Sequence, residues 1–232
     1  MFEKLEQIRG VIFMEYILNN GDTLRLNTLA YWGQVAVKIG EDWMGNLQYK
    51  NHIINRLNKT LPEKMDDMTV IDLGASDGLF CYESVYRGAK HVVGIEHSRG
   101  NFDNINIIKK CFNFPITVVN KSIDCLAKED LLEYNNGSKY SLGLALNVLH
   151  VVARNGIDPK ETLEKILSVS SKVIVETPWH NNGDYVIEKE PWSFPPSWME
   201  RIGNEFNFNM SHKKSPHEPI GRRLYVFEKL GD

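Results

Sequence analysis

Between residues 69 and 177 the chain alternates short runs that are apolar on both faces with longer stretches whose apolar residues recur every third or fourth position. TVIDL (69–73), HVVGIE (91–96), PITVVN (115–120), SLGLALNVL (141–149) and KVIVET (172–177) are short and mostly rich in β-branched residues, so they read as strands. The segments between them, 79–88, 98–112, 126–134 and 158–170, read as helices. Gly88 closes the first of these, and Asp158 followed by Pro159 opens the last as N-cap and first helical residue. Strands apolar on both faces need helices on both sides. That requirement predicts a parallel sheet with right-handed crossovers, a doubly wound α/β fold.

Both ends depart from this rhythm. Residues 197–206 suit a helix and 207–214 a strand; the Pro- and Gly-rich turn SPHEPIG (215–221) then leads into a last strand, RRLYVFEK (222–229). Two strands joined by a short turn pair antiparallel, so a seven-stranded sheet closing in a hairpin is expected. At the other end, Phe2, Leu5, Ile8 and Ile12 begin a spacing of three to four that predicts an amphipathic helix, and 45–61 predicts another. Residues 1–65 are therefore expected to form a helical extension capping the mouth of a domain spanning 66–232.

The first strand ends in a turn with chemical content, Asp72-Leu73-Gly74-Ala75-Ser76-Asp77-Gly78. A dinucleotide turn needs glycine where this chain has Ser76 and Leu79, because the backbone must approach a pyrophosphate and the helix must pack closely on the strand. A P-loop needs a Gly-Lys-Ser/Thr that does not follow here. Gly74 and Gly78 instead permit a tight turn against a nucleoside and its amino-acid tail, with Asp72 placed to hold an ammonium. Glu96, at the carboxyl end of the second strand and 24 residues after Asp72, is placed to accept both hydroxyls of a ribose.

VIDLGASDGLF, GAKHVVGIE, LALNVLH and VIVETPW, with the terminal hairpin, resemble the class I methyltransferases that use S-adenosylmethionine (SAM), over about residues 69–229. Ser76 stands at the middle glycine of their first motif, D/E-x-G-x-G-x-G. The resemblance implies a Rossmann-like sheet, SAM as cofactor, and Asp72, Gly74, Ser76, Gly78 and Glu96 as cofactor-binding residues. It also implies that Ile123 covers one face of the adenine and that Asn147 lies beside the sulfonium. Asp124 reads either as an acceptor from the adenine amine or as a helix N-cap. Within the superfamily the chain is most similar to the carboxymethyltransferases of the tRNA wobble uridine. That likeness implies Trp43 and Lys50 as contacts to the cofactor's carboxylate, and puts His150 where that branch has a tyrosine.

On the acceptor side, His150 and His180 are read as lying on loops after the fourth and fifth strands, the edge where doubly wound sheets bind ligands, and are the candidate bases. TPWHNNGDYVIEKEPWSFPPSW (177–198) crowds Trp179, Tyr185, Trp192, Phe194 and Trp198 into one segment. It reads either as an acceptor-site wall, closing with Tyr31 and Trp32, or as core. A net charge of −3 argues against general affinity for nucleic acid or anionic membrane. Three cysteines without a CxxC pair suggest reduced thiols in the cytoplasm and no metal site. The charged residues within the apolar N-terminal stretch exclude a membrane span there. The expectation is a SAM-dependent methyltransferase for a small-molecule metabolite. A tRNA-modifying enzyme and a non-catalytic SAM-binding module are the alternatives, and nothing in the chain speaks to oligomeric state.

Overall fold

A computed structural model of the chain describes residues 2–8, 11–17, 23–27, 36–39, 42–45, 50–178, 194–214 and 222–231. Its first elements are strands: β1 (Phe2–Ile8), β2 (Val11–Ile17) and β3 (Thr23–Asn27) form an antiparallel three-stranded sheet, and β4 (Ala36–Ile39) pairs with β5 (Asp42–Gly45). This corrects the amphipathic helix expected over residues 1–20. Gly10 disfavours a continuous helix, and the register Ile8↔Val11 shows the two halves joined by a two-residue connection. Val11, Ile12, Phe13, Tyr16 and Ile17 are residues that suit a pleated surface, and the register sets Lys4 opposite Glu15. The second helix expected in this region is present as α1 (Lys50–Thr60).

From there the order follows the sequence pattern: β6 (Thr69–Leu73), α2 (Leu79–Tyr86), β7 (His91–Ile95), α3 (Arg99–Phe112), β8 (Ile116–Val119), α4 (Lys128–Glu133) and β9 (Tyr140–Leu146). Then come α5 (Leu149–Arg154), α6 (Pro159–Val169), β10 (Ser170–Pro178), α7 (Pro196–Glu205), β11 (Phe208–Lys214) and β12 (Arg222–Lys229). The seven-stranded sheet runs β11-β12-β10-β9-β6-β7-β8, with β12 antiparallel to both neighbours. The fold class read from the sequence is thus the one observed in the sheet. Helix α5 had no counterpart in that reading, because Leu149 was assigned to the strand. The strand ends at Leu146, and Asn147, at φ 65°, turns the chain into the helix.

Successive strand residues serve opposite cores, as a period of two demands. Val70, Val92, Leu144, Ile174 and Leu224 pack under α1, α2 and α3. Their neighbours Ile71, Val93, Ala145, Val175 and Tyr225 pack under α4, α5, α6 and α7. Helix α1 is part of the first core, through Ile53 and Leu57. Arg87 fixes the chain after α1, donating to the carbonyls of Leu61 and Pro62 and to Asn58 Oδ1 at 2.8–3.1 Å. Nearby, β3 lies beside α3 and β4 beside α2. Among the described residues no helix is long and apolar enough to cross a membrane.

Candidate cofactor site

β6 and β9 are parallel neighbours, yet the chain leaves β6 toward α2 on one face and leaves β9 toward α5 on the other. Such a divergence opens a crevice at the carboxyl ends of the strands. Here it holds a cleft of about 270 Å³, lined by Arg56, Asp72, Gly74, Ser76, Glu96, Ile123 and Asn147 among others.

The glycine turn forms the floor. The amides of Gly74 and Ala75 both donate to the Ile95 carbonyl, at 2.9 and 3.0 Å, which ties the turn to β7. Gly74 has φ +72°, and a β-carbon there would lie 2.7 Å from Val148 Cγ2, so neither the backbone angle nor the space admits a side chain. Ser76, at the middle position, also has a left-handed backbone (φ 52°), which is rare for a residue with a side chain. Its amide donates to Glu96 Oε2 at 2.8 Å, while the Ser98 amide donates to Glu96 Oε1 at 2.7 Å. Glu96 is 4% exposed; His97 Nδ1 lies 3.4 Å from its Oε1, and Oε2 keeps a lone pair beyond the Ser76 bond.

Two further carboxylates are buried in the turn. Asp72 accepts from Cys81 Sγ at 3.6 Å, and burial pushes its carboxyl up to about 7, against the pull of that contact and of Arg56. Burial likewise pushes Asp77 up to about 6, against a hydrogen bond from Asn104. At the β10 end, the Arg56 Nη2 group meets Glu176 Oε2 at 2.6 Å, and its guanidinium stacks 4.9 Å from the Phe80 ring centre. Asn147 also donates to Glu176 Oε2, at 2.9 Å. Arg56 Nε and Asn147 Oδ1 are buried with no hydrogen-bond partner among the described residues.

The structure brings most of the predicted residues together. Asp72, Gly74, Ser76, Glu96, Ile123 and Asn147 line one cleft, and Gly78 (φ +84°) closes its turn as the residue before α2. Asp124 is exposed, outside that lining, within a 3-10 turn (Ile123–Cys125), where the Ser122 hydroxyl holds its carboxyl below the ordinary range. His150 corrects the loop assignment: it is buried in α5 and does not line the cleft. Trp43 lies in β5 and Lys50 begins α1. His180, Tyr31, Trp32, Trp179, Tyr185 and Trp192 fall outside the described residues. Phe194 and Trp198 join the core, their rings 5.0 Å apart, with the Phe194 carbonyl accepting from the Tyr225 hydroxyl. Arg56 lies in no motif read from the sequence, and Phe80 and Glu176 lie in quoted motifs without being given a role there. Glu176 carries a legible signal, a lone acid inside an apolar strand that requires a buried partner.

No protein-family model and no curated protein matches this chain. Solved structures do. A protein from Listeria monocytogenes described as a candidate SAM-dependent methyltransferase superposes with TM-score 0.59 at 16% identity, covering 78% of this chain and 100% of that one. Magnesium protoporphyrin IX methyltransferase from Synechocystis PCC 6803, with SAM bound, gives 0.56 at 13% identity over 78% and 79%. A candidate RNA methyltransferase from Pyrococcus horikoshii gives 0.50 at 16% identity over 72% and 76%. The fold is that of the class I SAM-dependent methyltransferases.

Proposed function

We propose that the chain binds SAM in this cleft and transfers its methyl group to a small-molecule acceptor. The observation that carries the reading is Glu96, a buried carboxylate whose two oxygens are fixed by the Ser76 and Ser98 amides at the mouth of the glycine turn. A carboxylate so held suits the paired hydroxyls of a ribose. Three acids (Asp72, Asp77 and Glu96) buried about one turn repel a diphosphate, which separates this site from a nicotinamide site. The cofactor's other parts have candidate partners in the lining: Ile123 for a face of the adenine and Asp72 for an ammonium.

Bound SAM supplies an electrophilic methyl group. The protein then has to position the acceptor and exclude water, which is worth up to roughly 7–11 kcal/mol in effective molarity. His180, two residues beyond the end of β10, is the candidate base for an acceptor that arrives protonated, and His150 is assigned the support of α5. We place the catalytic domain at 66–232, with 1–65 as a cap whose helix α1 adds core and cleft residues. Three free cysteines fit a reducing compartment, and we place the protein in the cytoplasm.

Titration calorimetry tests the reading. SAM and S-adenosylhomocysteine are expected to bind and NAD is not; binding of NAD alone overturns it. Glu96→Ala is expected to weaken SAM by about 1.5–3 kcal/mol, the worth of hydrogen bonds to a charged acceptor. Unchanged affinity in that variant would show the ribose to be held elsewhere. Tight, salt-dependent retention of bulk tRNA on filters would move the acceptor from small molecule to RNA.

A further inference from the structure

The turn end of the β11–β12 hairpin carries four cations, Lys213 and Lys214 on one strand and Arg222 and Arg223 on the other. The register sets Lys214 opposite Arg223, and it sets Arg222 and Arg223 opposite Pro178 and Thr177 of β10. Among the described residues no acid faces any of the four across a strand pair. The other end of the same sheet region is built differently. There Lys172 stands opposite Glu228, and the two charges meet at 2.6 Å. Opposite charges on one rung stabilise a strand pair and like charges destabilise it. Glu176, the acid of β10 near the cations, is buried and bonded to Arg56. Glu200 of α7 acts on His212, which lies 3.4 Å from Arg223 (Nδ1 to Nη1), so one acid stands against four bases. Glu218, in the intervening turn, falls outside the described residues.

Lysines on an edge strand discourage edge-to-edge pairing, and β11 is an edge. That device does not account for Arg222 and Arg223, because β12 is paired on both sides. The location points to the cleft. β12 runs antiparallel to β10, so its first residues lie at the carboxyl end of β10, the edge of the sheet where the cleft opens. β12 and β11 stand two and three strand positions from β9, roughly 10–14 Å from the strand that leads into Asn147. A metabolite spans that distance. Lys213 is exposed, and its ammonium donates to the Lys59 carbonyl at 3.3 Å, which seats the hairpin against the last turn of α1. Two of its three donors remain for a ligand.

We propose that the turn end of the β11–β12 hairpin is an anion site that holds a phosphate group of the methyl acceptor, with Lys213, Lys214, Arg222 and Arg223 as its cations, so that the acceptor is a phosphorylated small molecule. This rests on the SAM reading above and names the substrate class which that reading leaves open. Four cations gathered at one point suit a phosphate or diphosphate group, whereas a nucleic-acid backbone is met by a basic groove that tracks it. An anion bound there also relieves the repulsion between Lys214 and Arg223.

The test uses inorganic pyrophosphate as the probe, titrated by calorimetry into the full chain with S-adenosylhomocysteine present, after binding of S-adenosylhomocysteine itself has been measured. Pyrophosphate binding is expected to be saturable and to weaken by roughly tenfold or more in Lys214→Glu. Because that change puts opposite charges on one rung, it is also expected to raise the urea midpoint of the ligand-free protein. Lys109→Gln combined with Lys110→Gln removes two charges from α3 and is expected to leave pyrophosphate affinity within about twofold. Absence of saturable binding, equal affinity in the native chain and Lys214→Glu, or an equal loss in the α3 variant overturns the proposal and leaves the SAM reading standing. So does weaker binding accompanied by a lower urea midpoint, which traces the loss to a damaged hairpin. Failure of S-adenosylhomocysteine to bind overturns the SAM reading and the acceptor role with it, whatever the pyrophosphate result. Filter retention of bulk tRNA that Lys214→Glu abolishes assigns the surface to nucleic acid and overturns the small-molecule assignment.

Discussion

Asp72 shows how burial in the glycine turn ties a carboxylate's protonation to stability. Its folded carboxyl titrates near 7 against an ordinary 3.8, so folding favours the protonated form. The contribution to stability is complete below about pH 4 and is lost as pH rises to about 7, a difference on the order of 4 kcal/mol. Asp77 acts in the same sense, up to about pH 6. An ammonium beside Asp72 reverses the preference, because it favours the carboxylate. Cofactor affinity is therefore expected to rise between pH 5.5 and 7.5, and Asp72→Asn should flatten that profile in calorimetry while raising the melting temperature of the ligand-free protein at pH 8. Gly74 makes a steric prediction. Gly74→Ala adds roughly 1–2 kcal/mol of left-handed strain and drives a β-carbon into Val148, so cofactor binding should fall sharply. Adding Val148→Ala should restore part of it; no recovery would locate the damage in the backbone alone.

Secondary-structure elements formed where the sequence said they would wherever the apolar pattern was unambiguous. β6 spans 69–73 and α6 opens on Asp158, whose side chain accepts from the Lys160 amide. The first twenty residues went the other way because spacing near three and a half is weak evidence over two short runs divided by glycine. β-branched and aromatic residues there found strand partners instead. Helix α5 was missed because its start depends on one residue, Asn147, adopting a positive φ that no periodicity reports. Helix α1 was expected, but its attachment was not. Arg87 is 11% exposed and bonds two carbonyls, an amide oxygen and Glu83. Arg87→Ala is expected to lower stability in urea by about 1–2 kcal/mol, since it leaves the part-buried carbonyls of Leu61 and Pro62 without that donor. Because α1 carries Arg56, the same change should also weaken S-adenosylhomocysteine; stability loss with intact binding would show the helix to be held by its apolar face alone.

For the molecule as a whole, a ligand bound only by the folded state must raise its stability. At one hundred times its dissociation constant, S-adenosylhomocysteine should add about 2.7 kcal/mol. For a chain of 232 residues that corresponds to a melting shift of roughly 5–10 °C, read by calorimetric scanning and reduced in Glu96→Ala. The sequence by itself determined the doubly wound sheet, its closing hairpin, the glycine turn and the two acids Asp72 and Glu96, because these depend on local spacing and on strand periods that any window of the chain displays. Only the tertiary structure decided that α1 reaches across to β10, that Arg56 meets Glu176 over a span of 120 residues, and that His150 turns into the core. Such contacts join segments with no common pattern. They are fixed by which buried charge finds which partner once the sheet has closed.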